Sequence, residues 1–312
     1  MSEIPPVRLA TRGSPLALWQ ANWVKTELER LHAGCRVELL TIKTSGDKIT
    51  DVPLAKVGGK GLFVKEIEEA LLAGRADLAV HSMKDVPVEI PAGLHIAATT
   101  KREDPRDALI STAGLPFAKL PKGAKIGTSS LRRGTQLRHT RPDLQVIPLR
   151  GNLDTRLRKL KSESLDAVIV AAAGLRRMGW EGQVTEYLST DVSLPAIGQG
   201  ALGLECRVDD ARIHQLIAPL NDADTAVCVK AERAFLTRLE GGCQVPIAGH
   251  AELIGLELRL RGLVANLDGT QLVADEARGP VAQAAELGKG LAERLLDRGA
   301  GMILKEIYST SK

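Results

Sequence analysis

The sequence predicts an α/β protein: two doubly wound domains, then a small C-terminal α/β domain with a three-stranded antiparallel sheet. Three observations carry this. Strand-like apolar runs alternate with amphipathic helical stretches through the first two thirds of the 312 residues, the pattern of parallel βαβ units. Two segments, KREDPRDAL (Lys101 to Leu109) and SLPAIGQGALGLE (Ser193 to Glu205), read as crossings, so that one domain is inserted in another. From about Leu220 the pattern changes to a helix followed by alternating strands. The boundaries expected are 1–100 with 200–219, then 101–199, then 220–312.

The elements follow in order. VRLATRG reads as a strand, Pro15 to Leu31 as a helix and VELLTIKT as the next strand. In GLFVKEIEEALLAG, Phe63, Ile67, Ala70 and Leu71 fall on one helical stripe and Gly74 closes it,. ADLAVHS is a strand of the buried type. The alternation then repeats: AKIGTSS, helix LRRGTQLRH, LQVIPLRG, helix NLDTRLRKLKS, LDAVIVAAA. NDADTAVCVKAERAFLTRLEGG is a helix with acidic residues at its start and glycines at its end. Beyond it a small antiparallel sheet is expected with an Asp268-Gly269 hairpin turn, and a closing helix from about Val281 to Asp297,.

Composition narrows the function. The chain is 44% hydrophobic and 26% charged, with no apolar run near the ~20 residues of a membrane helix,. The N-terminus MSEIPPVRLATRGS has no apolar core of a secretory signal, so a cytoplasmic protein without a membrane partner is expected,. The four cysteines, Cys35, Cys206, Cys228 and Cys243, show no CxxC and no zinc spacing with histidine,. His81, His139 and His250 stand far apart and read as structural, so no metal site is expected. The net charge of +4 is uneven: between Ile126 and Lys161 seven Arg and two Lys face only Asp143 and Asp154. An anionic ligand is expected there. Aromatics at 3% leave few stacking platforms for single-stranded nucleic acid,.

In α/β folds ligands sit beyond the carboxyl ends of the strands. The residues there are Arg12-Gly13-Ser14, Ser82-Met83-Lys84-Asp85, Thr128-Ser129-Ser130, Arg150-Gly151-Asn152 and Gly174-Leu175-Arg176-Arg177. In GTSSLRRG, backbone N–H groups and hydroxyls at a helix mouth can cradle an anion, with Arg132 and Arg133 adding charge. An ordinary N-cap with a solvated basic face explains one such segment as well. Its recurrence at Arg12, Arg150 and Arg156 favours the cradle, and arginine suits a bidentate grip on carboxylates. Lys84-Asp85 offers a lone acid among cations, able to offset developing positive charge or pass a proton; a turn-forming aspartate before Val86-Pro87 is the alternative. GGKG (Gly58 to Gly61) lacks the phosphate-loop spacing and reads as a mobile loop bearing Lys56 and Lys60,. Cys243, behind Gly241-Gly242, follows the C-terminal end of a helix, whose dipole disfavours a thiolate. A covalent attachment point and a buried filler thiol both fit.

Five motifs in order, GRADLAVHSMKDVP, IGTSSLRRGTQL, IPLRGNLDTRL, LPAIGQGALGLECR and ERAFLTRLEGGCQVPI, resemble the hydroxymethylbilane synthase (porphobilinogen deaminase) family, from Arg8 into the last domain. The resemblance implies a cytosolic, monomeric enzyme whose first two domains are similar to type II periplasmic binding proteins. It implies head-to-tail condensation of four porphobilinogens with loss of ammonia, primed by a dipyrromethane cofactor held through a thioether to Cys243. By the same resemblance Asp85 stabilises cationic pyrrole and azafulvene-like intermediates. Arg12, Ser14, Lys84, Thr128, Ser129, Ser130, Arg132, Arg133, Arg150, Arg156, Arg177 and Gln199 hold the acetate and propionate groups. Gly134, inside a helix, departs from a better helix former at about 1 kcal/mol,. A non-enzymatic solute-binding module would explain the arginines but give Asp85 and the GGCQVP step no task. A nucleic-acid binder using the basic segment fits the aromatic content poorly.

Overall fold

Alternate side chains of β1 (Val7–Arg12) enter two different cores. Val7 and Leu9 pack with Ala21, Val24 and Leu28 of α1 (Pro15–Leu31), while Ala10 packs with Ile67, Ala70 and Leu71 of α3 (Lys65–Leu72). The period of two along the strand thus puts a helix on each face of one sheet. The computed structural model describes residues 5–48, 61–241 and 245–310.

That sheet orders β2 (Val37–Ile42), β1, β3 (Leu78–Ser82), β10 (Leu202–Arg207) and β4 (Leu94–Thr99). A four-residue helix α2 (Ser45–Lys48) follows β2. Among the described residues, those up to Glu103, and again from Ala201 to Ala226, form one compact unit; Asp104–Gly200 and the chain from Val227 onward form the other.

In the second unit the strand order is β7 (Gln145–Ile147), β6 (Lys125–Gly127), β8 (Ala167–Ala171), β5 (Asp107–Ser111) and β9 (Glu186–Tyr187). Leu109, Ile126 and Ile169 bury against Leu137 of α4 (Leu131–Thr140). On the other face Ala108, Val168 and Val170 meet Leu160 of α5 (Leu153–Ser162) and Leu175 of α6 (Ala172–Arg177). Both sheets are doubly wound. Neither is wholly parallel, however. The alternation correctly implies β1, β2 and β3, and β6, β7 and β8, as parallel neighbours, but β10 runs antiparallel to β3 and β4, and β5 antiparallel to β8 and β9. The reason lies in the expected crossings: β5 begins at Asp107 within the first and β10 at Leu202 within the second, so each contributes a strand without a preceding crossover helix.

The last sheet is antiparallel, β11 (Ile247–Ile254), β12 (Glu257–Ala265) and β13 (Leu272–Pro280). It shares a core around fully buried Phe235 with α8 (Ala223–Arg238) and α9 (Ala284–Leu295). The hairpin turn differs by one position from expectation: Gly269 N–H bonds Asn266 C=O at 3.2 Å, so Leu267-Asp268 form the corner and Gly269 follows at φ +80°,. The closing helix ends about where expected: Gly299 at φ +106° breaks the helical path just beyond Asp297, and a further helix, α10 (Gly301–Thr310), follows across the kink. Gly134 has a packing reason: a Cβ there would meet Val146 Cγ1 at 3.2 Å, so its absence lets α4 lie close on β7.

Candidate functional site

In the first unit β1 and β3 are parallel neighbours, so their carboxyl ends share one sheet edge. Ser14 caps α1 there, its Oγ accepting the Ala17 N–H at 3.3 Å, with Pro15 at the first helical position,. Arg12 donates to Asp47 (Nη2 to Oδ1, 2.5 Å) and lies 4.2 Å over the Phe63 ring. Burial acts to raise the Asp47 carboxyl, yet Arg12 and Thr44 together hold it below the ordinary carboxylate range. The predicted cation is therefore committed to an internal partner.

Past β3 the chain makes a single 3-10 turn, Met83–Asp85. Met83 is buried and anchors it, leaving Lys84 and Asp85 half-buried at the sheet edge. Among the described residues the Asp85 carboxylate has neither a hydrogen bond nor an ion pair. A half-buried carboxylate without a protein partner is available to a cationic one.

In the second unit β7, β6 and β8 present three adjacent carboxyl ends. Ser129 Oγ donates to Leu149 C=O at 2.8 Å, tying the loop after β6 to the strand-end segment that leads to Arg150. Ser130 caps α4, its Oγ accepting the Arg133 N–H at 3.4 Å, and its own N–H bonds Thr128 Oγ1 at 3.2 Å. Thr128 is buried and Ser129 exposed, so the three small polar residues have distinct tasks within one helix mouth. Beside them Arg150 carries buried Nε and Nη2 atoms that have no hydrogen-bond partner among the described residues. Guanidinium nitrogens buried without a partner are disfavoured unless an anion completes them. Arg156 Nε donates to Gly151 C=O at 2.8 Å.

Other predicted cations point inward. Asp107, fully buried, accepts from Arg132 Nη2 (2.8 Å), Arg133 Nε (2.9 Å), Ser193 Oγ (2.7 Å) and Gln199 Nε2 (3.0 Å). Arg132 also reaches Leu194 C=O at 2.5 Å, and Arg177, itself buried, donates to Gly200 C=O at 2.5 Å. Burial raises the Asp107 carboxyl, but the two guanidinium groups outweigh it and keep it ionised well below the usual range. Arg132, Arg133 and Gln199 thus brace the base of α4 around one acid. Sequence reading missed Asp107, although it sits in KREDPRDAL as an acid entering an otherwise apolar strand.

The positions Cys243, Lys56 and Lys60 lie outside the described residues. The three histidines read as structural all face protein groups: His81 pairs with Glu205 at 2.8 Å, His139 with Gly269 C=O at 3.0 Å and His250 with Glu232 at 3.6 Å. Near the first pair, burial and the neighbouring Glu205 push Glu68 up to about 7. A second histidine group escaped the sequence altogether: His95, Cys206 and His214 converge in the first unit, although no metal set was expected from their spacing.

Comparison with known proteins gives the following. The family model described as porphobilinogen deaminase, dipyromethane cofactor binding domain, matches residues 7–215, and that of the porphobilinogen deaminase C-terminal domain matches 226–297. The chain is similar to porphobilinogen deaminase of Geobacter metallireducens, at 62% identity over 97% of this chain and 95% of that one. Similarity to the Geobacter sulfurreducens protein of the same name is 61% over the same shares. Among solved structures, the periplasmic aliphatic sulphonate binding protein SsuA of Escherichia coli matches with a TM-score of 0.41 at 16% identity, covering 76% of this chain and 71% of that one.

Proposed function

Because the chain belongs to the porphobilinogen deaminase family, we propose that it works as a hydroxymethylbilane synthase in tetrapyrrole biosynthesis, with Asp85 as its catalytic acid–base and counter-ion. The observation that carries Asp85 is its carboxylate, free of hydrogen bonds and ion pairs among the described residues at the carboxyl end of β3. Most other acids near strand ends, Asp47, Asp104 and Asp107 among them, are consumed by arginines.

The residues present fit a dipyrromethane. Its acetate and propionate groups are carboxylates, and Arg150 holds two buried guanidinium nitrogens that lack a partner among the described residues. The amide groups at the mouth of α4, with Ser129 and Ser130, add neutral donors and the positive end of the helix dipole,. When bound, this cofactor supplies the primer on which four porphobilinogens are joined head to tail, each with release of ammonia, before hydroxymethylbilane is released by hydrolysis. Cys243 is proposed as the thioether anchor, with the glycines before it allowing the chain to accommodate a bulky group.

What the side chains do follows from charge. As ammonia leaves porphobilinogen, positive charge spreads into the substrate's pyrrole ring. Asp85 offers a fixed negative charge to that ring and, at the coupling step, an acceptor for the proton the new bond displaces. Pre-placed charge of this kind in a water-poor site contributes about two to three decades of rate. Arg150, Arg156, Ser129 and Ser130 grip carboxylates. Arg132, Arg133 and Gln199, braced on Asp107, hold the α4 mouth in place for that grip, and Arg12 and Arg177 act as local braces in the same manner. Lys84 and Thr128 complete the strand-end sets, and Lys56 and Lys60 are proposed for a loop covering the substrate.

The same reading takes the chain as a cytoplasmic monomer of three domains, 1–100 with 200–219, 101–199 and 220–312, acting on a small polyanion and not on nucleic acid. The core cluster around Phe235 supports the third division, and among the described residues no helix is long and apolar enough to cross a membrane. Intact-protein mass spectrometry tests the centre of the proposal. The purified protein should exceed its sequence mass by one dipyrromethane, and Cys243→Ser should not; an active protein at the bare sequence mass would overturn the anchor.

A further inference from the structure

The register of β10 against β4 sets Cys206 directly opposite His95, so their side chains stand on one face of the first sheet,. The helix α7 (Ala211–Ile217) packs over that face and brings His214 to them. His95 Nε2 lies 2.9 Å from His214 Nε2 and 3.9 Å from Cys206 Sγ, and the three ligand atoms are all within 4.8 Å of one another. We propose that His95, Cys206 and His214 form a binding site for a divalent transition metal of the zinc class, with one coordination position left for water.

Two of the three separations are close to what such an ion demands, and the third, Cys206 Sγ to the His214 ring, is within 4.8 Å and closes on the ion by side-chain rotation. With Zn–N near 2.05 Å and Zn–S near 2.3 Å, tetrahedral angles put two nitrogens about 3.3 Å apart and nitrogen and sulfur about 3.5 Å apart. Two of the observed separations differ from these by about 0.4 Å, within reach of small side-chain rotations. The ligand chemistry also matches: two imidazoles and a thiolate favour zinc, cobalt or copper over magnesium or calcium. Burial, then the neighbouring His214, lowers the pKa of His95, which keeps that ring in its neutral, ligating form. Burial pushes the Cys206 thiol up to about 12, so the ion must displace the thiol proton, which leaves to solvent as the sulfur–metal bond forms,.

The position separates this site from the chemistry. Leu202 pairs with Ser82 at the Asp85 end of β3, and β10 runs away from that end. Cys206 is four residues further along, roughly 13 Å at the rise of a strand. A bound ion would therefore cross-link β4, β10 and α7 without touching Asp85. The role is to stabilise the first unit, and binding to the folded state alone raises its unfolding temperature.

Cobalt(II) titration of the cofactor-loaded protein tests this. We expect one equivalent to bind with a thiolate-to-cobalt charge-transfer band, displaced by zinc, together with a zinc-dependent rise in melting temperature. Cys206→Ala should abolish the band. Because Cys206 is fully buried, His214→Gln, at a half-buried position, is the second variant; it should weaken binding at least about tenfold, since even the loss of a group supporting a ligand costs ~10–100-fold,. A parent protein showing no band and no thermal shift would overturn the site. So would a band that survives Cys206→Ala, which would assign it to Cys35 or Cys228, or zinc affinity unchanged in His214→Gln.

Discussion

Replacing Asp107 by Asn removes one charge at the centre of the most heavily bonded cluster in the second unit. Its carboxylate accepts from Arg132, Arg133, Ser193 and Gln199, and Asp107, Arg132 and Arg133 are each at most 5% exposed. The amide keeps the volume but presents N–H groups toward two buried cations. Breaking a buried pair by neutralising one partner typically loses 3–5 kcal/mol, because the other charge stays buried without compensation. In domains of 150–250 residues each kcal/mol moves the melting temperature by ~2–4 °C, so a fall of about 6–20 °C is expected. Thermal unfolding followed by circular dichroism measures it, and Arg133→Met provides the second arm of a double-mutant cycle. If the cluster acts as one brace, the double variant loses less than the sum of the singles. The sign with pH follows from a carboxyl whose folded pKa is depressed. Its contribution is complete above the unfolded value of about 3.9 and disappears as pH falls through the lower folded value, so parent and variant should converge in strong acid,. A melting temperature within about 2 °C of the parent, with a raised KM instead, would refute the bracing argument and return Arg132 and Arg133 to direct substrate contact.

Asp85→Ala should retain the covalent cofactor by mass yet lose about two to three decades of turnover, and near-normal bilane production would remove Asp85 from the chemistry. Arg150→Ala should raise KM for porphobilinogen or lower cofactor loading while leaving the melting temperature unchanged or higher, since it removes a buried cation with unbonded nitrogens,; a large loss of stability with normal kinetics would contradict its assignment. Glu68, raised to about 7 by burial and by Glu205, favours the folded state most when protonated. Stability should therefore decline as pH rises from about 4.5 to about 7, and Glu68→Gln should flatten that decline, with equal melting temperatures at pH 4.5 and a higher one for the variant at pH 8.

Much of the fold was legible because its signals are local. The helix from Pro15 to Leu31 carries its own cap, and the strands ending at Arg12, Ser82 and Gly127 are apolar runs ended by polar residues. The position of Asp85, though not its role, was legible for the same reason, in a polar turn fixed to a buried strand. The antiparallel strands β5 and β10 were not, since each begins inside a segment rich in charge, proline or glycine that reads as a connection. Gly134 looked like a weak point in a helix, and only the approach of Val146 gives it a reason.

By itself the sequence determined the α/β order, the strand ends where polar groups collect, and the motifs that resemble one enzyme family. The tertiary structure alone decided which charges are spent and which remain available. Arg132 and Arg133 are occupied by Asp107, from a strand more than twenty residues away, whereas Arg150 nearby keeps two nitrogens without a partner among the described residues. The same holds for His95, Cys206 and His214, joined by a cross-strand register and a packed helix over a separation of more than a hundred residues. Periodicity and capping are read by neighbours along the chain, but the partner of a buried charge or ligand is chosen by register and packing, and those exist only once the chain has folded.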